Sequence, residues 1–433
     1  MKHIFLGLIL ISLLLSSACN VVPATPKANG GVVFAKSDLE RDLDPVTDPR
    51  QLEVLAQGNT VFALNFYHQI SQADGNIIFS PISLSLALSM TLAGAELSTR
   101  DEMLQALELQ PLEDGLHPAF NALLLAIEAS QSTPETTIEG DSFRLNIANS
   151  IWGQSGFDFE PAFLDTLALN YGAGIYNVDF NADPEAARNV INTWVADETE
   201  EKIKDLIPSG AIDALTRLVL ANAIYFNGSW LYPFEQSATK SAPFTLLDGT
   251  QVPVDMMHLQ NKNLPYLRGA NYQVARLPYL SPDFSMILLV PDEDAFELVE
   301  SSLTAAEFVD IVNKLSVRPV DLQMPKFDFE STVDASRVLK ELGMNEAFQA
   351  DQADFSLINA NADLYITDVL HKATITVDEK GTEAAAATAV IVGVTSAPEP
   401  TEPVSLVIDR PFMFFIEHNP TSSILFMGRV LQP

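Results

Sequence analysis

The sequence predicts one large domain of the α+β class, extending from about residue 51 to residue 433. Apolar residues at helical spacing open this region, whereas the apolar runs from about Leu215 onwards have the length and composition of strands. At about 380 residues the region is long for a single core. No proline-glycine linker, internal repeat or change in composition divides it, so we interpret it as one domain.

Three helices can be placed from their patterns. Apolar spacing predicts an amphipathic first helix from about Asp48 to Ser71. Ser80 is suited to cap a second helix, with Pro81 in its first turn. Apolar residues occupy most faces of this second helix, so we expect it to be buried. A third helix is predicted over Pro184–Glu200.

Strands are predicted from alternating or continuous apolar runs. Leu215–Phe226 is almost continuously apolar, as expected of a central strand that is buried on both faces. The other predicted strands are Arg144–Trp152, Phe284–Pro291, Val320–Phe329, Ile366–Val377, Phe412–His418 and Ser423–Val430.

The N-terminus has the pattern of an export signal. A short basic start precedes an apolar run that is too short to span a membrane comfortably, and residues 1–18 are therefore interpreted as a signal peptide. Residues 15–19 resemble a bacterial lipobox that ends at Cys19, the only cysteine of the chain. We expect lipid attachment at Cys19, with simple secretion as the alternative. The protein would then be a cell-envelope lipoprotein or extracellular.

Residues 19–50 are rich in proline and glycine and have no sustained apolar periodicity. This composition predicts a flexible tether between a lipid anchor and the domain.

The formal net charge of −33 limits the possible partners. Such an acidic protein should avoid nucleic acid, heparin-like polyanions and anionic bilayer surfaces, so we expect membrane association only through the lipid anchor. The six histidines form no metal-binding pair, and no complete catalytic or phosphate-binding motif is present. We therefore expect no cofactor, no metal and no enzymatic activity.

The most informative stretch is residues 379–397. It has no charge and no proline from Ala384 to Ala397, and Val, Ile and Thr dominate its second half. Composition alone leaves two interpretations open, a flexible loop or a strand. If Glu383 faces solvent, alternation places Thr382 and a series of uncharged residues on the opposite face. That series is Ala384, Ala386, Thr388, Val390 and Val392.

Residues 379–388, Glu-Lys-Gly-Thr-Glu-Ala-Ala-Ala-Ala-Thr, closely resemble the hinge of the reactive-centre loop of inhibitory serpins. Further motifs resemble serpin landmarks in the same order, so that the similarity runs from about Asn59 to Pro433. They lie at residues 76–83, 220–230, 324–327, 409–412 and 425–430.

This resemblance implies the serpin fold, with three β-sheets, about eight or nine helices and an exposed reactive-centre loop at about residues 379–403. It implies that the helix at Pro184–Glu200 lies across the front of the main sheet. Some serpins bind heparin through a basic helix. The corresponding residues here, Leu107–Phe120, contain no Lys or Arg, so we expect no heparin binding.

The resemblance also implies the functional residues. The hinge would comprise Glu379, Gly381, Thr382, Glu383, Ala384, Ala385, Ala386, Ala387 and Thr388. A polar cluster where the main sheet opens would comprise Ser80, Ser83, Asn222 and His371, with Trp230 packed where the loop first enters. The scissile bond would be Thr395–Ser396, or Val394–Thr395 if the loop differs by one residue.

The implied function is suicide inhibition of a serine protease, with cysteine proteases as a further class of target. The loop would form a covalent acyl complex and then insert into the main sheet. Small residues near Thr395 suit an elastase-like or subtilisin-like protease with a small primary pocket. We expect a monomer. The alternatives are a non-inhibitory serpin that acts as a carrier or chaperone at the cell envelope, and a surface enzyme or adhesin of unrelated mechanism.

Overall fold

The structure is a computed structural model that describes residues 32–131, 144–361, 364–382 and 402–433. Within these ranges the chain forms nine α-helices and sixteen β-strands, which confirms the α+β class. The helices are α1 (Pro49–Ile70), α2 (Pro81–Leu92), α3 (Leu97–Ala106), α4 (Leu116–Gln131), α5 (Pro161–Tyr171), α6 (Pro184–Glu198), α7 (Phe296–Ser302), α8 (Ala305–Lys314) and α9 (Ala335–Glu341).

The strands follow the same chain order. They are β1 (Val33–Ala35), β2 (Ile77–Phe79), β3 (Arg144–Gln154), β4 (Ile175–Val178), β5 (Leu218–Ser229), β6 (Lys240–Thr245), β7 (Gln251–Arg268), β8 (Tyr272–Pro278), β9 (Phe284–Pro291), β10 (Ser316–Pro325), β11 (Phe327–Asp334), β12 (Val369–Val377), β13 (Gly381–Thr382), β14 (Val404–Val407), β15 (Phe412–His418) and β16 (Ser423–Val430).

The first sheet contains seven strands in the order β1-β4-β3-β5-β13-β12-β11. Its central strand β5 is antiparallel to β3, parallel to β12 and buried along its whole length, as predicted. The strand begins at Leu218 and not at Leu215, because Asp213 accepts hydrogen bonds from the backbone amides of Leu215 and Thr216 in the preceding turn.

The remaining nine strands form a second hydrogen-bonded network, β14-β10-β7-β8-β9-β15-β16-β2, with β6 on β7. The long strand β7 pairs with β6 over Gln251–Met256, with β10 further along and with β8 over Tyr266–Arg268. The sequence predicts three sheets, whereas the strands within the described ranges form two hydrogen-bonded sheets, the second of which is continuous through β7.

Two helices cover the faces of the seven-stranded sheet. Ser80 caps α2 by accepting a hydrogen bond from the amide of Ser83, and every residue of this helix is buried against β3, β5 and β16. On the other face, Ile191 and Val195 of α6 pack in one cluster with Trp152 and other side chains of β3, β4 and β5. Both placements confirm the prediction. None of the helices within the described ranges is both long enough and apolar enough to cross a bilayer.

One predicted strand is wrong in its extent. Val320–Phe329 is not a single strand, because β10 ends at Pro325 and belongs to the second network, whereas β11 begins at Phe327 in the first sheet. Between them the amide of Lys326 donates to the carbonyl of Asp255. Met324 and Phe327 are both buried, so the apolar pattern continues across the boundary and conceals it.

The predicted tether is also corrected in part, because residues 32–48 lie against the domain. Val33–Ala35 adds an edge strand antiparallel to Ile175–Asn177 of β4, and the Phe34 ring contacts the Tyr176 ring at 4.6 Å. Further along, Arg41 hydrogen-bonds to Asn121 of α4. Long-range contacts of this kind leave no periodic pattern in the sequence. Residues 1–31, including Cys19, lie outside the described residues.

Candidate functional site

A tight turn leads from β12 into the hinge. The amide of Asp378 donates to the carbonyl of Gly381 at 2.9 Å. The carboxylate of Asp378 accepts from the amides of Lys380 at 2.8 Å and Gly381 at 3.2 Å. An aspartate that bonds to the backbone two residues ahead stabilises a turn. The turn reverses the chain, so that β13 runs back alongside β12.

Strand β13 lies between β5 and β12. Gly381 pairs with Ser229 and Thr382 with Gly228 of β5, and Thr382 also pairs with Val377 of β12. A Cβ atom on residue 381 would lie 2.2 Å from the carbonyl oxygen of Gly228, so only glycine permits this approach. The first two hinge residues after the turn are thus already part of the sheet.

The side chain of Thr382 faces the interior and is 1% exposed. Its Oγ1 lies 2.9 Å from the hydroxyl oxygen of Tyr279. The Tyr279 ring is stacked on Trp230 at 4.6 Å, and Trp230 Nε1 donates to the carbonyl of Asp378 at 3.0 Å. Burial raises the pKa of Tyr279, so its hydroxyl stays protonated. Trp230 therefore lies between the turn at Asp378 and the Tyr279 ring, beside the first residues of β13.

The side chain of Glu379 fixes the turn through contacts with Lys326 and Thr239. It is 4% exposed, and its Oε1 accepts hydrogen bonds from Lys326 Nζ and Thr239 Oγ1, each at 2.7 Å. Burial alone would raise the pKa of Glu379, but the bonds from Lys326 and Thr239 outweigh this effect and hold the pKa below its usual value. Glu379 is thus an ionised, buried carboxylate at the start of the hinge, and its Oε1 atom has two hydrogen-bonding partners.

Strands β5 and β12 pair directly with each other at the N-terminal end of β12, away from β13. In the described chain this direct pairing extends from Val369 opposite Leu220 to Ala373 opposite Ile224. Beyond Ala373 the two strands part, and β13 occupies the upper end of the gap. A longer inserted strand would have to separate the directly paired residues as well.

The predicted polar cluster lies at these directly paired residues. His371 and Asn222 are opposite each other in the pairing of β12 and β5, with His371 Nδ1 2.5 Å from Asn222 Oδ1. His371 Nε2 accepts from the amide of Ser80 at 2.9 Å, and Asn222 Nδ2 donates to Ser83 Oγ at 2.7 Å. The structure thus brings together all four residues that the sequence analysis grouped.

The hydrogen-bond directions fix the protonation of His371. A backbone amide can only donate, so Nε2 must carry a lone pair and Nδ1 must carry the proton. Burial lowers the pKa of His371 to about 3, which keeps the ring neutral. Protonation would replace the Nε2 acceptor by a second donor facing the Ser80 amide, and would therefore break this contact between α2 and the sheet.

Sequence reasoning missed a fifth member of the cluster, Asn149 of β3. Its Oδ1 accepts from Asn222 Nδ2 at 2.5 Å and from Ser83 Oγ at 3.2 Å, and its Nδ2 donates to the carbonyl of Ser83 at 3.1 Å. The available signal was an asparagine in an alternating strand on the same face as Leu145 and Ile147. Tyr279, Thr239 and Lys326 were also missed, and only their long-range contacts reveal their positions.

Several predicted residues cannot be placed. Hinge residues Glu383, Ala384, Ala385, Ala386, Ala387 and Thr388, and the scissile-bond residues Val394, Thr395 and Ser396, lie outside the described residues.

A contact between a serine and a histidine side chain within the described ranges bears on the enzymatic alternative. His418 Nε2 lies 3.0 Å from Ser130 Oγ, which itself donates to Asp283 at 2.7 Å. With the serine proton directed at Asp283, His418 can only donate to Ser130, which is the reverse of what activates a nucleophile. In the part of the chain that the structure describes, no group of three His, Cys, Asp or Glu side chains is arranged to hold a metal ion.

Comparison with known proteins agrees with this architecture. A family model described as "Serpin (serine protease inhibitor)" matches residues 57–433. The pig (Sus scrofa) leukocyte elastase inhibitor is 38% identical over 393 residues, which cover 88% of this chain and 100% of that protein. The native state of tengpin, a thermophilic serpin, is similar with a TM-score of 0.76 and 28% identity, over 92% of this chain and 98% of that one. Maspin is similar with a TM-score of 0.80 and 25% identity, over 89% and 100%.

Proposed function

This chain belongs to the serpin family, and from that membership we propose that it is a suicide inhibitor of serine proteases that acts by inserting its cleaved loop into the seven-stranded sheet. One observation carries the proposal. Gly381 and Thr382 already lie between β5 and β12, at the upper end of the gap that an inserted loop would fill.

The reaction begins as ordinary proteolysis. The protease serine attacks the carbonyl carbon of Thr395, or of Val394 in the alternative register. A bond forms between the serine oxygen and that carbon, the peptide bond to the next residue breaks, and the released amine takes up a proton. The loop is then tethered to the protease as an acyl ester, and hydrolysis by water would complete the turnover.

Insertion competes with that hydrolysis. From Thr382 to Thr395 the chain has about fourteen residues, and at ~3.3 Å per residue the new strand would carry the acylated end roughly 46 Å. To make room, β5 and β12 must separate along their direct pairs, including Asn222 and His371. The protease would be displaced to the far end of the domain and trapped there. The native state would persist because conversion to the inserted form is slow, and not because it is the most stable state. Loop insertion in serpins is a known case in which such stored strain is released.

The loop sequence indicates the class of protease. From Gly381 to Asp409 there is no Lys, Arg, Phe, Tyr, Trp or Met, so nothing in this segment suits a trypsin-like or chymotrypsin-like pocket. Val394 and Thr395 are small and β-branched, which suits elastase-like or permissive subtilisin-like pockets, with cysteine proteases of similar preference as a further class. The name of the pig relative, a leukocyte elastase inhibitor, supports the elastase-like choice.

We also propose that the protein is exported, loses residues 1–18 and is lipidated at Cys19. Labelling with radioactive palmitate in a bacterial host tests this proposal. The full-length chain should be labelled and should be recovered in the membrane fraction. The Cys19→Ala substitution should abolish both the labelling and the membrane association. A labelled Cys19→Ala variant, or an unlabelled parent, would contradict lipidation.

The test of inhibition is a covalent complex on a denaturing gel. Incubation with pancreatic elastase should release a C-terminal peptide that begins at Ser396, or at Thr395 in the alternative register, and should produce a band of the summed mass less this peptide. Elastase whose serine has been blocked with diisopropyl fluorophosphate is the control and should give no complex. If active elastase, subtilisin and papain all cleave the loop or ignore it without forming such a band, the protein is a non-inhibitory serpin.

A further inference from the structure

A small cleft lies at the end of β5 that is opposite the hinge. The direct pairing of β5 and β12 ends at Leu220 and Val369, and the cleft begins at the next residues towards that end, Val219 and Asp368. Its volume is about 10 Å³, which is room for a single water molecule. Its walls are mainly apolar and come from the two strands and from the segment between α6 and β5.

Most of the apolar side chains around the cleft lie on the α6 face of the sheet. Ile207, Ile212 and Val219 belong to the buried cluster that includes side chains of α6, and Leu370 of β12 packs against it. The cleft therefore lies between the sheet and the segment that follows α6.

Strand β13 fixes the register of a loop that continues from it. β13 is antiparallel to β5, and Thr382 is opposite Gly228. Ile391 is among residues 383–401, which lie outside the described residues. It comes nine residues after Thr382, and Val219 comes nine residues before Gly228. If the loop extends β13 in the same register, Ile391 therefore lies opposite Val219, at the cleft.

The register on the other side of the gap agrees. Thr382 is opposite Val377 of β12. Asp368 comes nine residues before Val377, so the same count places Ile391 opposite Asp368. Val219 and Asp368 are themselves equivalent, because each lies one residue beyond the last direct pair of β5 and β12. Both counts therefore bring Ile391 to the cleft.

Alternation along the new strand determines which face Ile391 would occupy. The side chain of Thr382 faces the interior. Side chains alternate between the two faces, so Ile391, nine residues later, would face α6. On the same face, Ala387 and Ala389 would lie opposite two alanines of β5, where small side chains meet. Ile391 is thus the first large apolar side chain on this face of the new strand.

One polar atom of the cleft lacks a partner in the closed sheet. Thr367 Oγ1 is buried and has no hydrogen-bonding partner within the described ranges. A hydroxyl oxygen can accept a hydrogen bond, and an inserted strand would bring backbone amides to this level. Thr216, the other threonine of the lining, is bonded to Asp213. Asp368 is partly exposed, so its carboxylate can stay in contact with solvent.

We propose that this cleft receives the side chain of Ile391 when the loop inserts. The inference rests on the proposed function, and it adds a positioning residue to the inhibitory reaction. The closed cleft is too small for an isoleucine side chain, but the separation of β5 and β12 that insertion requires also widens it. Burial of Ile391 would hold the end of the new strand, four residues before the acylated Thr395. A strand that stopped short of the cleft would leave the protease able to hydrolyse the acyl ester.

The test compares unfolding midpoints in guanidinium chloride before and after a non-target protease cuts the loop between residues 392 and 397, with the cut site confirmed by mass spectrometry. The parent should gain stability on cutting. Ile391→Asp should gain clearly less, because a carboxylate is costly to bury among apolar side chains. Ala397→Asp places the same charge beyond the scissile bond. It is the matched control and should gain as much as the parent.

Filling the cleft from the opposite wall tests the contact itself. Ala211 lines the cleft, and Ala211→Phe should reduce the gain on cutting. Ala214→Phe, at an exposed position of the same segment, should leave the gain unchanged. Ile391→Ala should reduce the gain in the parent but should cause no further loss in the Ala211→Phe chain, because the cleft is then already occupied.

The outcomes separate this assignment from the proposed function. Equal gains for the parent and Ile391→Asp, or additive losses for Ile391→Ala and Ala211→Phe, would overturn the assignment and leave insertion intact. If the parent gains nothing on cutting, the inhibitory mechanism and the assignment both fail. A gain that grows with protein concentration would identify the loop of a second copy as the occupant and would also overturn the assignment. The comparison of Ile391→Asp with Ala397→Asp decides the question even if Ala211→Phe does not fold.

Discussion

The hydroxyl oxygens of Tyr279 and Thr382 lie 2.9 Å apart, and the two side chains are 0% and 1% exposed. Thr382 is the second residue of β13. Tyr279 directly follows β8 of the second network, and its ring is stacked on Trp230. The hinge is therefore already partly inserted, and its first inward side chain has a specific hydrogen-bonding partner.

Thr382→Arg should convert the inhibitor into a substrate. An unpaired charge in this buried position costs several kcal/mol, so insertion would stall and hydrolysis of the acyl ester would win. The number of inhibitor molecules consumed per protease trapped should rise steeply, measured by titrating elastase activity. Thr382→Ser, which keeps a small hydroxyl, is the control and should inhibit like the parent. Unchanged stoichiometry for the arginine variant would show that insertion of the loop does not require an uncharged side chain at residue 382.

Glu379→Gln should loosen the base of the hinge. The substitution leaves Lys326 without its carboxylate partner at the turn, and we expect the free energy of unfolding to fall by about 1.5–3 kcal/mol, the range for hydrogen bonds to charged groups. The comparison is Asp310→Asn, which breaks the exposed pair with Lys314 on α8 and should lower the free energy of unfolding much less. If urea unfolding gives the same loss of unfolding free energy for Glu379→Gln and Asp310→Asn, the buried pair of Glu379 and Lys326 does not stabilise the hinge.

His371 should make the closed sheet sensitive to acid. Burial lowers its pKa from 6.5 to about 3, so the unfolded chain binds a proton between these values and the folded chain does not. The contribution of neutral His371 is fully present above pH 6.5 and is lost as the pH falls from 6.5 towards 3. The maximum loss is about 1.4 kcal/mol per pH unit.

Urea unfolding of the parent and of His371→Asn at pH 7, 6 and 5 measures this effect. The variant should be less stable at pH 7, because its shorter side chain cannot maintain both contacts of the ring. Its stability should fall less steeply with acid than that of the parent. Parallel pH profiles would contradict the assignment, since all other titrating groups are common to the two proteins.

The sequence predicted most of the elements because their signals are local. Asp48 and Ser71 bound α1 as expected, and β15 and β16 have the predicted ends, since caps, turns and apolar runs depend on near neighbours. The boundary at Lys326 and the attachment of residues 32–48 were not foreseen. Both depend on hydrogen bonds to strands far away in the chain, which leave no periodic trace.

Sequence reasoning likewise identified some residues of the candidate site and missed others. The resemblance supplied His371, Asn222, Ser80 and Ser83, and the structure brings them together. Tyr279 lies 103 positions before its partner Thr382, and no local pattern distinguishes it from other buried tyrosines. Side chains that complete a site through contacts of this range can be identified only once the fold is known.

The loop should discriminate sharply among proteases. Val394 and Thr395 lack the basic or large aromatic side chains that trypsin and chymotrypsin require, and each missing methylene in a specificity pocket is worth ~1–3 kcal/mol. We expect elastase and subtilisin to be inhibited at least 100-fold faster than trypsin. Two missing methylenes in the trypsin pocket would together cost about 3 kcal/mol, which corresponds to this factor. Fast inhibition of trypsin, or a released peptide that begins outside residues 395–397, would refute the assigned bond.

The central claim is that the loop becomes a new strand between β5 and β12. It is tested most directly by thermal unfolding before and after a non-target protease cuts the loop. Insertion would add a strand to the middle of the sheet and release the strain of the native state, so the cut protein should unfold at a clearly higher temperature, and Thr382→Arg should gain much less. An unchanged or lower midpoint after cleavage would contradict insertion.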